Sequence, residues 1–367
     1  MSKRIYVAAT SQHVGKTTCT LGIYAVLRER GYQVGYCKPV GQEFVDLGDL
    51  KVDKDALLFS KMMGFKLSAD AHSPVIVGSG LTAAYLENPA PFHFEEDVLK
   101  AAAILDTQHD MVIYEGTGHP GVGSVIDLSN ADVAKALGAS VIMVVEGGIG
   151  RTIDELNVNL ALFREQNVPI HGVIVNKVLV EKQEKVRHLV GKKLDRWGIP
   201  LLGVLPYDKN LTHPIMETIR QAVKGRVVWN ENFLDNWVEN IVSGALVERR
   251  EVENFERLLL IVNHTRLNRV IEVLEELTAQ HSIQGCPVAG IIINGVADFV
   301  PEFLENFQHQ DYIDQYNIPV ISTTLDTYGA ALKISRIEVK IHLRTLWKAE
   351  MAIKMIREYV DLSGLGV

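Results

Sequence analysis

Cysteine is scarce in this sequence. Only Cys19, Cys37 and Cys286 occur in 367 residues, too far apart for the paired spacing of a zinc site, a thiol–disulfide motif or a disulfide framework. Excess positive charge is lacking too. Lys and Arg number 37 against 45 Asp and Glu, a formal net charge of −8, which argues against a general electrostatic grip on nucleic acid or on an anionic membrane. No stretch approaches the roughly 18 consecutive apolar residues of a membrane span. The apolar run after Lys3-Arg4 stops at Ala9, too short for a secretory signal. Short-period repeats and low-complexity tracts are also missing. These absences lead to the expectation of a soluble, cytoplasmic protein with neither nucleic acid nor membrane as a partner.

What is present is the composition of a globular protein, 47% hydrophobic and 22% charged, in a length that suits two domains. Short apolar runs at 4–9, 33–37, 111–114, 140–145, 172–175 and 201–205 alternate with segments of helical periodicity at 16–30, 95–105, 153–166 and 181–197. That alternation predicts an α/β fold with a mostly parallel sheet and helices on both faces. From about 212 to 253 it breaks down into a polar, aromatic stretch and the charged run Glu248-Arg249-Arg250-Glu251. It then resumes with apolar runs at 258–262, 289–294 and 319–323 and helical stretches at 266–280, 327–336 and 345–360. The expected organisation is a first domain at 1–225, a linker at 226–252 and a smaller α/β domain at 253–367.

The segment Ala9-Thr10-Ser11-Gln12-His13-Val14-Gly15-Lys16-Thr17-Thr18 follows the first predicted strand and opens the first predicted helix. A triphosphate needs many converging donors, and a loop entering a helix N-terminus supplies backbone N–H groups and the positive end of the helix dipole. Gly15 permits close approach, Lys16 can bridge the terminal phosphates, and the Thr17 hydroxyl can join a magnesium shell. Thr10, His13, Val14 and Thr18 complete the expected nucleotide-binding loop, although Thr10 stands where the usual GxxxxGK[ST] pattern has its first glycine. Magnesium also calls for carboxylates at the C-terminal ends of strands. Glu115, directly after the run 111–114, and Asp55, after the second strand and its loop, are the candidates. Lys38 closes the second strand, placed to neutralise a phosphate or a substrate carboxylate. Solvated surface roles for Asp55, Lys38, His13 and His119 are the plain alternatives, and Asp127 and Asp132 read as caps of the helix that follows them, with substrate binding as the alternative.

These residues carry a resemblance. Ala9-Thr10, Val14-Gly15-Lys16-Thr17, Lys38-Pro39-Val40, Asp55-Ala56 and Glu115-Gly116 resemble dethiobiotin synthetase, an ATP-dependent family that also tolerates threonine at the first loop glycine. Val173-Ile174-Val175-Asn176-Lys177 and Leu202-Gly203-Val204-Leu205-Pro206 resemble its two base-binding segments, which implies that Asn176 and Pro206 contact the purine. Glu115-Gly116-Thr117-Gly118-His119-Pro120 is at least as similar to the cobyrinic and cobyric acid amide synthases of the same superfamily. Their glutaminase nucleophile has no counterpart, because Cys286, in Gln284-Gly285-Cys286-Pro287, lacks a glycine-rich elbow and reads as structural. Farther on, Asp326-Thr327-Tyr328-Gly329-Ala330-Ala331 and the closing helix resemble the DRTGG domain, with Thr265-Arg266 and Asn294-Gly295 near its usual Asp-Arg and Gly-Gly pairs. The two together resemble the N-terminal, regulatory part of long bacterial phosphate acetyltransferases.

Two functions are compatible with that resemblance. One is a nucleotide-sensing ATPase module that reports to a regulated protein partner. The other is an ATP-dependent, ligase-like enzyme that phosphorylates a small carboxylate or carbamate for capture by an amine. In the latter, Lys16 and Lys38 are catalytic and Thr17, Asp55 and Glu115 hold magnesium. The place where dethiobiotin synthetase carries a hydroxyl-bearing loop reads Gly41-Gln42-Glu43-Phe44, which argues against the biotin precursor as substrate. A partitioning-type ATPase is a weaker fit, because Ser11 stands where those proteins carry a signature lysine. A homodimer is expected, because synthetases of this superfamily assemble their sites at a dimer interface.

Overall fold

Six runs of buried residues form the first sheet: β1 (Lys3–Ala9), β2 (Val34–Cys37), β3 (Met111–Glu115), β4 (Ser140–Glu146), β5 (Ile170–Val178) and β6 (Leu201–Pro206). The computed structural model describes residues 3–243, 256–280, 286–295 and 307–365; the charged run at 248–251 and the pair Gln284-Gly285 lie outside them. The strands pair in parallel in the order β6-β5-β4-β1-β3-β2. Covered on both faces, they show continuous apolar sequence rather than alternation. Every residue of β2 and of β3 is buried.

The covering helices are α1 (Lys16–Glu29), α2 (Lys54–Met63), α3 (Phe94–Asp106), α4 (Asn130–Ala136), α5 (Gly150–Glu165) and α6 (Gln183–Trp197). On α5 the buried residues are Thr152, Leu156, Leu160 and Phe163, a single stripe at helical spacing. Each large apolar side chain buried this way contributes roughly 1.5–3 kcal/mol. The chain runs to one side of β1 for β2 and β3 and to the other for β4 to β6. Loops at the C-terminal ends therefore part around β1, where open α/β sheets bind ligands.

A second compact unit comprises Lys209–Lys340. It holds α7 (Met216–Ala222), α8 (Leu267–Gln280), α9 (Gln310–Gln315) and α10 (Thr327–Ser335). Its sheet contains β7 (Arg226–Trp229), β8 (Asn240–Ser243), β9 (Leu258–Asn263), β10 (Val288–Asn294) and β11 (Val320–Ser322), in the order β7-β11-β10-β9-β8 with β7 antiparallel at the edge. Successive strand residues serve opposite faces. Leu258, Leu260 and Val262 pack with Ile271 and Leu274 of α8, while Leu259 and Ile261 pack with Met216 of α7 and Ile334 of α10.

The division of the chain differs from the one read off the sequence. Residues 226–229 and 240–243 of the expected linker are strands of the second sheet. The last helix, α11 (Leu346–Tyr359), belongs to the first unit, which comprises Met1–Asp208 and Ile341–Val367. The reason lies in α1, where every residue from 19 to 27 is buried, more than a sheet on one side can cover. Gly22 faces α11 so closely that a Cβ there would collide with Ile356. Arg30 donates to the Leu362 carbonyl at 2.9 Å, and the Asp361 amide donates to Leu202 O at 2.7 Å. Periodicity had identified the helix but not its partner. No helix among the described residues is long and apolar enough to cross a membrane.

Candidate functional site

The loop between β1 and α1 turns on Gly15, whose φ of 98° is a left-handed conformation open to glycine at little cost. A side chain there would also strike the Asn176 amide. Asn176, near the end of β5, donates from Nδ2 to the Val14 carbonyl at 2.8 Å, and its Oδ1 accepts the Lys177 amide at 2.8 Å. Lys177 Nζ donates to the His13 carbonyl at 2.7 Å. Two successive loop carbonyls are thus tethered to β5. In a trans peptide C=O and N–H point opposite ways, so the amides of Val14 and Gly15 face away from β5, as donors to an anion. Val14 is buried, His13 is exposed with φ 60°, and Thr18 is half-buried in the first turn of α1. Thr10 is buried; its amide donates to Val144 O at 3.1 Å and its hydroxyl to Glu155 at 3.3 Å. The hydroxyl bond is available to a threonine and not to a glycine.

Beside the loop lies a buried cluster of charges. Glu115, at the end of β3, is wholly inaccessible. Its Oε1 accepts the Thr17 hydroxyl at 2.7 Å and the Lys38 ammonium at 3.3 Å, and its Oε2 accepts the Tyr36 hydroxyl at 3.2 Å. Lys38 also donates to Asp55 at 2.7 Å and to the Gly116 carbonyl at 3.2 Å. Burial by itself would lower the Lys38 pKa, but Asp55, Glu115 and Asp53 together raise it, so the ammonium stays protonated. Burial raises the Glu115 carboxyl, with Lys38 opposing and Asp55 reinforcing that shift. Asp53 caps α2 by accepting the Asp55 amide at 2.9 Å. Burial pushes its carboxyl up to about 6, against the pull of Lys38. Tyr36 is held in place by stacking on Phe59 of α2, with ring centroids 3.7 Å apart.

The third wall is the glycine-rich loop after β3. Lys16 Nζ donates to the Gly118 carbonyl at 3.2 Å. Asn130, the first residue of α4, holds this loop by donating to the carbonyls of Thr117 and His119 at 2.7 and 2.6 Å, while its Oδ1 accepts the Thr117 amide and the Tyr6 hydroxyl. Asp132 completes a capping box with Ser129 at the start of α4, whereas Asp127 accepts the Tyr85 hydroxyl at 3.0 Å.

The fold therefore brings Thr10, Val14, Gly15, Lys16, Thr17, Lys38, Asp55, Glu115 and Asn176 to the same end of one sheet. Pro206 ends β6, at the far edge of that sheet. In this structure the Asn176 amide is engaged by the loop rather than open to a base. Among the described residues, no group of three or more His, Cys, Asp or Glu side chains is placed to hold a metal ion; the Lys38 ammonium occupies the space between Asp55 and Glu115. Sequence reasoning missed Tyr36, Asp53, Asn130 and Lys177 as members of the site. Lys177 carried a signal, directly after Asn176, and Asp53 another, as a helix cap two residues before Asp55. Tyr36 and Asn130 had none.

Residues 3–215, more than half of the chain, match the AAA_26 family, described as an AAA domain. A probable cobyric acid synthase from Methanocaldococcus jannaschii is 26% identical over 58% of this chain and 47% of its own length. The ATP-dependent dethiobiotin synthetase of Clostridium kluyveri is 27% identical over 60% of this chain and 92% of its own. A phosphate acetyltransferase from Pseudomonas aeruginosa is 24% identical over 98% of this chain and 51% of its own. The chain thus spans about half the length of two of these relatives. With the glycine-turned loop at the head of α1 and the parallel sheet behind it, the chain belongs to the AAA_26 family, as a P-loop NTPase of the dethiobiotin synthetase-like type.

Proposed function

We propose that the first unit binds ATP with magnesium and that the chain acts as a nucleotide-dependent regulatory module, its DRTGG-like second unit passing the nucleotide state to a protein partner. The observation that carries this reading is the likeness to phosphate acetyltransferases, which runs through both units rather than the first alone. Chemically, the loop amides and Lys16 receive the phosphates. Thr17 Oγ1 and Glu115 Oε1, 2.7 Å apart, are hard oxygen donors of the kind magnesium takes and would hold it beside the phosphate loop. When bound, the ion supplies charge neutralisation across the terminal phosphates. Lys38, protonated and paired with Asp55 and Glu115, would add a second positive charge near the terminal phosphate.

A ligase-like enzyme is the second reading, favoured by Lys38, a buried ammonium at the mouth of the loop of a kind suited to an acyl phosphate. Thermal melting with and without Mg-ATP tests the shared step: Lys16→Ala should abolish the ATP-dependent rise in Tm, and an unchanged rise would place the nucleotide elsewhere. ADP release in the presence of small carboxylates and diamines separates the two readings, since stoichiometric release with covalent modification of the small molecule would replace the regulatory one. Sedimentation of the chain with and without Mg-ATP tests the homodimer that belongs to the same proposal.

A further inference from the structure

Two adjacent central strands of the second sheet end in the same residue type. Asn263 closes β9, Asn294 closes β10, and the two are register partners in a parallel pair, so both side chains project from the same face of the sheet. Asn294 is 6% exposed. Its Nδ2 donates to the Thr327 hydroxyl in the first turn of α10 at 2.8 Å, while its Oδ1 is buried and meets no donor among the described residues. Exchanging the two ends of the amide does not remove the mismatch; it leaves a buried N–H₂ in place of a buried oxygen. Asn268 Oδ1, in the first turn of α8 at the same end of the sheet, is likewise buried without a partner among the described residues. Native proteins leave few such groups unmatched, and those that exist call for an explanation.

The neighbours of Asn294 at this end of the sheet include exposed and half-exposed polar residues. Asn263 is exposed; its Oδ1 accepts from the Thr265 amide at 3.1 Å and hydroxyl at 2.9 Å, which directs its Nδ2 the other way. That Nδ2 lies 3.7 Å from where a Cβ on Gly295 would stand, and the φ of 75° at Gly295 disfavours any side chain there. Gly295 is fixed by donating its amide to Leu325 O at 2.9 Å. On the same first turn of α10, Tyr328 is 75% exposed, an aromatic surface that the fold itself does not use.

We propose that this end of the second sheet binds a small molecule through a planar edge carrying an N–H donor beside an acceptor, the pattern shared by a primary carboxamide and the adenine ring. The donor satisfies Asn294 Oδ1, the acceptor meets the amide of Asn263, and Tyr328 offers its ring face to the planar group. The site is built from the second unit alone and does not depend on nucleotide at the first.

Titration calorimetry of the full chain, in the parent and in the Lys16→Ala background that silences the phosphate loop, tests this with AMP and with L-glutamine as probes. One of the two is expected to bind in both backgrounds; AMP identifies an adenine edge and L-glutamine a carboxamide edge. Asn263→Ala, at an exposed position, and Asn294→Leu, which keeps the side chain's size without its acceptor, should each weaken that binding about tenfold or more, with melting curves confirming that both variants stay folded. Failure of both probes to bind at millimolar concentration, or binding that is unchanged in the two variants, would overturn the proposal.

Discussion

Lys38→Met is the perturbation whose outcome the structure fixes most tightly. Lys38 is 5% exposed and its ammonium touches Asp55, Glu115 and the Gly116 carbonyl, and methionine nearly matches the side chain's volume without its charge. Asp55, whose side chain is 27% exposed, can turn to water, but Glu115 has no access to solvent at all. Removing one partner of a buried ion pair costs about 3–5 kcal/mol, because the other charge stays uncompensated. At roughly 1.4 kcal/mol per decade, that deficit accelerates exchange of the β3 amides by about two to four orders of magnitude when exchange proceeds through unfolding of the unit. Hydrogen–deuterium exchange followed on Met111–Glu115 reads the first unit alone, which a whole-chain melt would blur. The sign with pH is also set. Lys38 holds the Glu115 pKa down against burial, so its loss raises that pKa further. A carboxyl whose folded pKa exceeds its unfolded value contributes stability that is present below the unfolded value and lost as pH rises through the folded one. The Lys38→Met deficit is therefore largest near pH 8 and shrinks toward pH 5. Adding Glu115→Gln should recover at least about 1 kcal/mol relative to additivity. A Lys38→Met deficit under about 1 kcal/mol, or strict additivity with Glu115→Gln, would refute the description of this cluster as a buried charge network.

Four further outcomes follow from the same geometry. Asp53→Asn keeps the α2 cap, since asparagine caps as well as aspartate, but removes a carboxyl raised from 3.8 to about 6. Urea titrations should show the parent losing up to about 3 kcal/mol as pH rises through 6, and the variant losing much less. Gly15→Ala forces an L-residue to φ 98° against the Asn176 amide and should remove the ATP-dependent rise in Tm, with little effect on the melting of the second unit. Asn176→Ala frees the Val14 carbonyl; a several-fold weaker ATP affinity by calorimetry is expected, and unchanged affinity would mean that the tether does not organise the loop. Gly22→Leu should cost about 1–3 kcal/mol by overpacking and loosen α11 from α1, read as faster proteolysis in the segment 341–345.

Much of the first unit could be read from the chain alone. Parallel strands buried on both faces must be apolar throughout, and a phosphate loop must be glycine-turned at the head of a helix; both are local requirements, so both leave local marks. The residues from Thr10 to Thr18, and Glu115 at a strand end, were placed by those marks. Lys38 and Asp55 were legible as candidates, yet their direct pairing at 2.7 Å was not, because it depends on how α2 turns back over β2. Asn176 was read as a purine contact from resemblance, whereas its grip on Val14 needs β5 beside the loop, a neighbour more than 160 positions away in sequence.

The sequence by itself determined the α/β class, the position of the phosphate loop and the existence of a second, smaller α/β unit, because periodicity and helix-start chemistry depend on residues within a few positions of one another. Only the tertiary structure decided three other matters. It returned α11 to the first unit, paired Lys38 directly with both Asp55 and Glu115, and left Asn294 Oδ1 unmatched among the described residues. Each depends on which surfaces meet after the chain has crossed a sheet. Hydrophobic burial is non-directional, so an amphipathic helix records that it will be buried without recording against what.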